Sequence, residues 1–522
     1  MDTAELLAHL GPWQQGSGHR SVRLARAVAT AVQDGHLSPG MQLPAERALA
    51  EAVGVSRGTV ARAYEQLRAD GIAHARQGSG TFLGSPEDRT DRAAVLARSL
   101  AQQGLSPPGG MSAAGGMSAA GGMGTQGGMG TQVSGALPRA GVRTTAEGDG
   151  TRIDLRLAAW PADPRTRAAL IEPIDAADRA LDGPGYWPLG LPALRSAIAE
   201  RLTAQGLATE PEQVLLTAGA HQAIDVALTT VAGPSDTVLV PQITYPGVPQ
   251  LLALRGLRPL ALQRDRTGQL DQIALLAQLR DGRSSVAYLI PSIDNPTGLV
   301  LPASTRRLVV EAAASSGTVL LEDLTLAELW TDAPPPPALT ATPGADRSKV
   351  VTVGSLSKVA WSGLRLGWIR AEGPLLERLA RVRTAADLGA SVLGQLASLR
   401  VLDHLDAVVE SRRERLRKLH GALRRELSVR VPEWRVLPAE GGLCAWVELG
   451  GVSSDEFVAD AATHGLDLSP GRVHHALGRD PGGLRLALPP DEAALEQAVE
   501  RLAAAWRTHL ERTAGSARLP TV

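Results

Sequence analysis

The sequence predicts two folded units of different class joined by a tether: a small α unit with a short β hairpin over residues 1–84, and a large α/β unit with a mostly parallel sheet over residues 151–512. Three observations carry this. Helical periodicity runs through SVRLARAVATAVQDG and SRGTVARAYEQLRADG near the start, ahead of the β-prone HARQGSGTFLG. Four glycine-rich hexads stand in a row at 109–132, GGMSAA twice and GGMGTQ twice. After them, the apolar runs QVLLTAG, DTVLVP, SVAYLIP, TVLLED and KVVTVG alternate with helical stretches such as PALRSAIAERL and AHQAIDVALTTV. That alternation is the pattern of a parallel sheet covered by helices, and its ligand belongs at the carboxyl ends of the strands.

Length and composition agree. A chain of 522 residues exceeds one ordinary domain of roughly 150 residues, and 44% hydrophobic residues can fill a large core. The formal net charge of −1 gives no bulk attraction to nucleic acid or a membrane surface, so such a partner has to be argued from a local site. The single Cys444 excludes an intrachain disulfide and a multi-cysteine metal site, and fits a reducing compartment. No apolar run reaches the ~18–20 residues of a membrane helix, and MDTAELLAHLGPW lacks the basic start and apolar stretch of a signal peptide. The expectation is a cytoplasmic protein with no metal site and no membrane partner.

The hexads hold four of the six methionines. A methionine-rich metal or partner site is one reading. A flexible tether is the one taken, because glycine-rich polar sequence buries too little surface to offset its ordering entropy. With its flanks the tract forms a disordered linker over 85–150, whose ends as a random coil lie roughly 45 Å apart. Residues 513–522 are read as a disordered tail.

In the small unit, LAEAVGVSRGTVARAYEQLR has the layout of a helix-turn-helix: a helix, Gly54 at the turn, Ser56 as N-cap, and a second helix from Arg57. A serine cap sets its hydroxyl over the orphan amides of the first turn, and Arg57 and Thr59 then stand where major-groove readers contact DNA. Gly78 and Gly80 permit a tight turn and so a wing. Charge adds nothing, since residues 1–84 hold eight Arg against seven acidic residues. The stretch PGMQLPAERALAEAVGVSRGTVARAYEQLRADGIAHARQGSGTFL resembles the winged helix-turn-helix of the GntR family nearly end to end. The resemblance implies double-stranded DNA as a partner, with Arg47, Ser56, Arg57 and Thr59 on phosphates and base edges and Ser79 and Thr81 acting from the wing.

In the large unit each strand end carries a group suited to pyridoxal 5′-phosphate. Gly219-Ala220-His221-Gln222 opens a helix, and free amides at a helix start bind phosphate. Asn295 offers an amide to the ring hydroxyl, and Tyr245 can stack on the ring. Asp323, ending TVLLED, can keep the pyridine nitrogen protonated so that the ring draws electrons. The stretch GSLSKVAWSGLRLGW (354–368) carries Ser355, Ser357, Lys358 and Arg365, the last a counter-ion for phosphate. Lys358 is one of three lysines beside fifty arginines. Arginine stays protonated, whereas a desolvated lysine can form an imine with an aldehyde.

Residues 152–510 resemble the class I aminotransferases, fold-type I enzymes that use pyridoxal 5′-phosphate, through GYWPLGLPALRSAIAERL, DNPTG and SLSKVAWSGLRLGW. The resemblance implies that Lys358 carries the cofactor covalently, Asp323 pairs with the pyridine nitrogen, Asn295 binds the ring hydroxyl, Tyr245 stacks, and Ser355 and Arg365 hold the phosphate. It places Tyr186 on the phosphate of a neighbouring subunit, which implies a dimer, and Arg485 on a substrate carboxylate. Three positions depart from the family's pattern: Thr325 replaces a tyrosine, Ala220 a serine and Cys444 a histidine.

A GntR-like reader, a long linker and an aminotransferase-like unit, in that order, resemble the MocR subfamily of bacterial transcription regulators. The implied protein is a head-to-tail homodimeric regulator sensing an amine, amino acid or B6 vitamer through its cofactor. An active aminotransferase with an appended DNA-binding unit is the alternative, and a large unit that serves only to dimerise, without cofactor, is a third reading.

Overall fold

The computed structural model describes residues 3–10, 13, 19–33, 37, 41–69, 72–76, 80–83, 152–171 and 182–516. The expected linker at 85–150, the wing-tip Ser79 and residues 517–522 lie outside the described residues. The chain divides into two compact units, the division falling between residues 101 and 102.

The first unit comprises α1 (Thr3–His9), α2 (Arg20–Gln33), α3 (Glu46–Val53), α4 (Arg57–Ala69), β1 (Ala73–Arg76) and β2 (Gly80–Leu83). Helix α4 buries Val60, Ala63, Tyr64 and Leu67, the i, i+3, i+4, i+7 stripe of an amphipathic helix, within a core that includes Leu24, Val28, Leu49 and Val53. Gly54 caps α3 at φ +68° and sends its amide to the Ala50 and Glu51 carbonyls, a left-handed turn that glycine adopts without steric cost. The strands β1 and β2 pair antiparallel with Ala73 opposite Leu83. Residues 41–43 add to the hairpin, with the Leu43 amide on the Thr81 carbonyl at 2.8 Å and the Leu83 amide on the Met41 carbonyl at 2.9 Å.

The second unit begins with β3 (Ile153–Asp154), α5 (Pro164–Ile171) and α6 (Pro192–Ala204). Its main elements follow: β4 (Val214–Thr217), α7 (Ala220–Val231), β5 (Thr237–Pro241), α8 (Gly247–Arg255), β6 (Arg258–Leu262), α9 (Gln272–Arg280), β7 (Ser284–Leu289), α10 (Ala303–Ser316), β8 (Val319–Asp323), β9 (Val350–Ser355), α11 (Leu356–Val359), β10 (Gly367–Arg370) and α12 (Gly373–Asp387). The seven strands form one sheet in the order β4-β10-β9-β8-β7-β5-β6, with β10 antiparallel to both neighbours and the other pairs parallel. Alternate residues serve opposite faces, as the pleat requires. Val238, Val240 and Tyr288 pack with Ile224, Leu252 and Leu379, while Leu239, Ala287 and Leu289 pack with Leu279 and Val309.

The chain continues through α13 (Val392–Leu402), α14 (Leu405–Arg430), β11 (Arg435–Val436), β12 (Cys444–Glu448), α15 (Ser454–Thr463), β13 (Leu466–Asp467), β14 (Ser469–Pro470), β15 (Gly483–Ala487) and α16 (Glu492–Ser516). A second sheet has the order β11-β12-β15-β14. All five runs read as strands are strands. The reading missed β6, β10 and the second sheet, whose strands are short or hidden inside motif-bearing stretches. The expected boundary at 512 is corrected, because α16 stays helical to Ser516, four residues into the stretch read as a disordered tail.

Candidate functional sites

In the first unit the helix-turn-helix has its expected cap. The Ser56 hydroxyl accepts from the Thr59 amide at 3.2 Å and lies 2.9 Å from the Thr59 hydroxyl. Arg57 begins α4 exposed, and its Nε donates to Glu46 Oε2 at 3.2 Å. Arg47 is exposed on α3, and Thr81 on β2 accepts from Arg68 at 3.4 Å. The Tyr64 hydroxyl, buried under α4, donates to the Pro44 carbonyl at 2.8 Å and ties the loop before α3 to the second helix.

In the second unit, parallel strands running the same way deliver their carboxyl ends to one edge of the sheet. Register shows it: Gly367 lies opposite both Thr217 and Ser355, and Asp323 opposite Val353. The Gly219–Ala220 turn is packed on β10, where a Cβ at Gly367 would lie 2.6 Å from the Gly219 carbonyl carbon. Gly219 itself sits at φ +99°, so the turn that opens α7 needs glycine twice. Arg365 donates from Nη2 to the Ala218 carbonyl at 2.8 Å and borders Gly219, which sets a guanidinium beside the first amides of α7.

Asp323 is buried, and its carboxylate accepts from the Tyr288 hydroxyl at 2.8 Å and from the Thr325 amide at 2.9 Å. Burial pushes its pKa up against these bonds. Tyr288 was not among the expected site residues; lying mid-strand in SVAYLI, it reads in sequence as core. Tyr245 is half-buried, its hydroxyl 3.3 Å from His221 Nδ1, and burial with Asp323 nearby pushes it up to about 12. Asn295 follows Asp294, which Arg264 holds at 2.8 Å, and the Asn295 side-chain oxygen lies 3.8 Å from Cys444 Sγ.

Lys358 donates from Nζ to the Ala158 carbonyl at 2.9 Å. Burial, then the charges of Arg485 and Arg365, pull its pKa down to about 8, with Cys444 opposing. Arg485 is buried in β15 and donates to the Arg156 carbonyl. Among the described residues it has no ion-pair partner, and its Nε has no hydrogen-bond partner. The structure thus brings together Lys358, Asp323, Tyr245, His221, Ala220, Arg365, Arg485, Asn295 and Cys444.

Two expected residues stand differently. The Ser355 hydroxyl is buried, donates to the Leu366 carbonyl at 2.8 Å and accepts from the Ser357 amide at 3.1 Å, so it caps α11. The Ser357 hydroxyl is the buried one without a partner. Tyr186 is 67% exposed and touches none of the groups above among the interactions of the described residues.

A mixed seven-stranded sheet with a lysine, an aspartate and a phosphate turn on its carboxyl edge defines a fold-type I aminotransferase unit. The donor set fits pyridoxal 5′-phosphate: a lysine of lowered pKa, a buried carboxylate, and a glycine turn flanked by arginine. Residues 165–502 match the family described as Aminotransferase class I and II, and residues 20–83 match Bacterial regulatory proteins, gntR family. The HTH-type transcriptional regulator TauR of Rhodobacter capsulatus is 29% identical over 475 residues, covering 88% of this chain and 90% of TauR. The "Probable rhizopine catabolism regulatory protein MocR" of Rhizobium meliloti is 27% identical over 378 residues, 70% of this chain and 67% of that one. The crystal structure of LysN, the alpha-aminoadipate aminotransferase of Thermus thermophilus, complexed with N-(5'-phosphopyridoxyl)-L-leucine, superimposes with a TM-score of 0.62 at 27% identity, covering 69% of this chain and 93% of LysN.

The chain belongs to the class I and II aminotransferase family and, with its GntR unit, to the MocR subfamily of transcription regulators. It is a DNA-binding regulator whose large unit uses pyridoxal phosphate. Among the described residues no helix is long and apolar enough to cross a membrane.

Proposed function

We propose that the large unit senses an amino compound bearing a carboxylate, an amino acid in the simplest case, and that ligand binding there alters transcription through the DNA-reading unit. When bound, pyridoxal phosphate supplies an aldehyde carbon open to amines and an electron-drawing ring. Lys358 would hold the cofactor, and its lowered pKa leaves a usable fraction of free amine near neutral pH. Asp323 would keep the pyridine nitrogen charged and Asn295 would meet the ring hydroxyl. Tyr245 would lie against the ring, and the amides of Ala220 and His221 with Ser357 and Arg365 would take the phosphate. Ser355 supports this set by capping the turn that carries Ser357 and Lys358.

The observation that carries the ligand class is Arg485. A buried guanidinium without an anion is costly, and the positive charges of Arg485 and Arg365 both reach Lys358. An amino acid meets both demands, its amine competing with Lys358 and its carboxylate pairing with Arg485. Arg47, Ser56, Arg57 and Thr59, with Ser79 and Thr81 of the wing, serve DNA. A homodimer in which Tyr186 reaches the partner's phosphate site accounts for a tyrosine left exposed.

The test joins spectroscopy to DNA binding. Wild type and Lys358→Ala are screened against amines, amino acids and B6 vitamers for changes in cofactor absorbance, and each responding compound is assayed for a change in affinity for the promoter DNA next to the gene. Responses confined to carboxylate-bearing amines, and lost in Arg485→Met, support the reading. Multiple turnovers releasing keto acid, with no effect on DNA binding, would make the chain an aminotransferase instead. Lys358, with a pKa suited to moving protons, is the feature that favours this second reading.

A further inference from the structure

We infer that Glu46 is a positioning residue for sequence recognition, acting through Arg57; this rests on the DNA-reading function proposed for α4. Glu46 is the first residue of α3, where the helix dipole favours a carboxylate. Its Oε2 accepts from Arg57 Nε at 3.2 Å across the helix-turn-helix. The pair is asymmetric: the Arg57 side chain is 74% exposed and that of Glu46 32%. The anchored end is the carboxylate, and the arginine reaches outward from it.

The geometry of a guanidinium gives this consequence. Arginine can meet a base edge side-on, through Nε and one Nη, or end-on through both Nη groups. With Nε held by Glu46, only the end-on fork remains, and no other described residue accepts a hydrogen bond from Arg57. Two parallel N–H donors on a restrained stem match the O6 and N7 acceptors of guanine in the major groove. An unrestrained arginine at the same place would meet any phosphate within reach. The same contact partly neutralises Arg57 toward the phosphate backbone, and the Glu46 carboxylate repels it. Glu46 therefore favours the matched site twice, by aiming the fork and by weakening sequence-independent attraction. The pair adds little to fold stability, as exposed ion pairs generally do.

The test uses the full-length protein. Wild type first enriches a duplex from a random-sequence library, and affinities for that duplex and for a scrambled one are then measured over a range of salt. Glu46→Ala is expected to bind the enriched duplex more weakly and the scrambled one more tightly, so that their ratio falls by about tenfold, with the salt slope for the scrambled duplex steeper by about one. Glu46→Gln, which keeps an oxygen for Nε and loses the charge, is expected to retain most of the ratio. In the Arg57→Ala background, Glu46→Ala is expected to leave the ratio unchanged. A parallel loss on both duplexes would mean that Glu46 only supports the fold, and a parallel gain would mean that Arg57 reads phosphate; either overturns the inference. Failure of wild type to enrich any sequence would instead overturn the DNA-reading function beneath it.

Discussion

The amine of Lys358 donates to the carbonyl oxygen of Ala158 at 2.9 Å, though 200 residues separate them. The segment just ahead of Ala158 also meets Arg485, through the Arg156 carbonyl. The start of the large unit thus lies over both the group proposed to hold the cofactor and the group proposed to hold the ligand's carboxylate.

Lys358 titrates low because burial and Arg485 disfavour its charge, and only its neutral form attacks an aldehyde. Loading of apoprotein with pyridoxal phosphate should therefore speed up as pH rises through about 8 and level off above it. A lysine at its ordinary value of 10.5 would still be gaining well beyond that point. Stopped-flow loading rates across pH check this. In Arg485→Met, which removes the nearby positive charge, the inflection should move upward.

Tyr288→Phe keeps the buried ring and deletes one donor to Asp323, the bond measured at 2.8 Å. A net hydrogen bond is worth about 1 kcal/mol. Cofactor affinity should accordingly fall roughly fivefold, as read by fluorescence titration, with little change in the melting temperature of the apoprotein. Wild-type affinity in this variant would remove Tyr288 from the site.

Gly367→Ala places a Cβ 2.6 Å from the backbone of Gly219, so the phosphate turn has to move. Overpacking of this kind costs about 1–3 kcal/mol, and cofactor should be lost on dialysis. Gly421, inside α14, has open space around its would-be Cβ. Gly421→Ala should instead stabilise the unit by up to about 1 kcal/mol, because alanine favours the helix. Urea unfolding of the two variants measures the contrast.

Ser56→Ala removes the oxygen that accepts from the Thr59 amide and should cost about 1 kcal/mol of stability in the small unit. Ser56→Asp restores the cap but sets a negative charge at the start of α4. Its stability should match wild type while its affinity for DNA falls, a separation visible by comparing denaturation with a gel-shift titration.

Local order was legible in the sequence because its causes are local. Ser56 caps the helix that begins one residue later, Gly54 stands where α3 must turn, and the five apolar runs become the strands read from them. The strand-end residues were legible for the same reason: a parallel strand followed by a crossover returns its carboxyl end to one edge of the sheet. Lys358, Asp323, Asn295 and Tyr245 therefore had to converge once the alternation was recognised. The clearest miss, strand β10, also has a local explanation: GWIR is four residues long and overlaps the end of the motif-bearing stretch 354–368, whose residues were read for their chemistry.

Other features were settled only by contacts between residues far apart in the chain. Ala158 meets Lys358 across 200 positions and Tyr288 meets Asp323 across 35, and neither spacing leaves a periodic trace. Ser355 reads in sequence as a phosphate ligand, and the structure shows its hydroxyl donating to the Leu366 carbonyl. Glu46 and Arg57 lie on different helices and meet across the turn between them. The sequence by itself determined which elements form and which chemical groups they carry to one edge. The tertiary structure decided how those groups are oriented, charged and restrained, because burial and hydrogen-bond geometry arise only when distant segments pack.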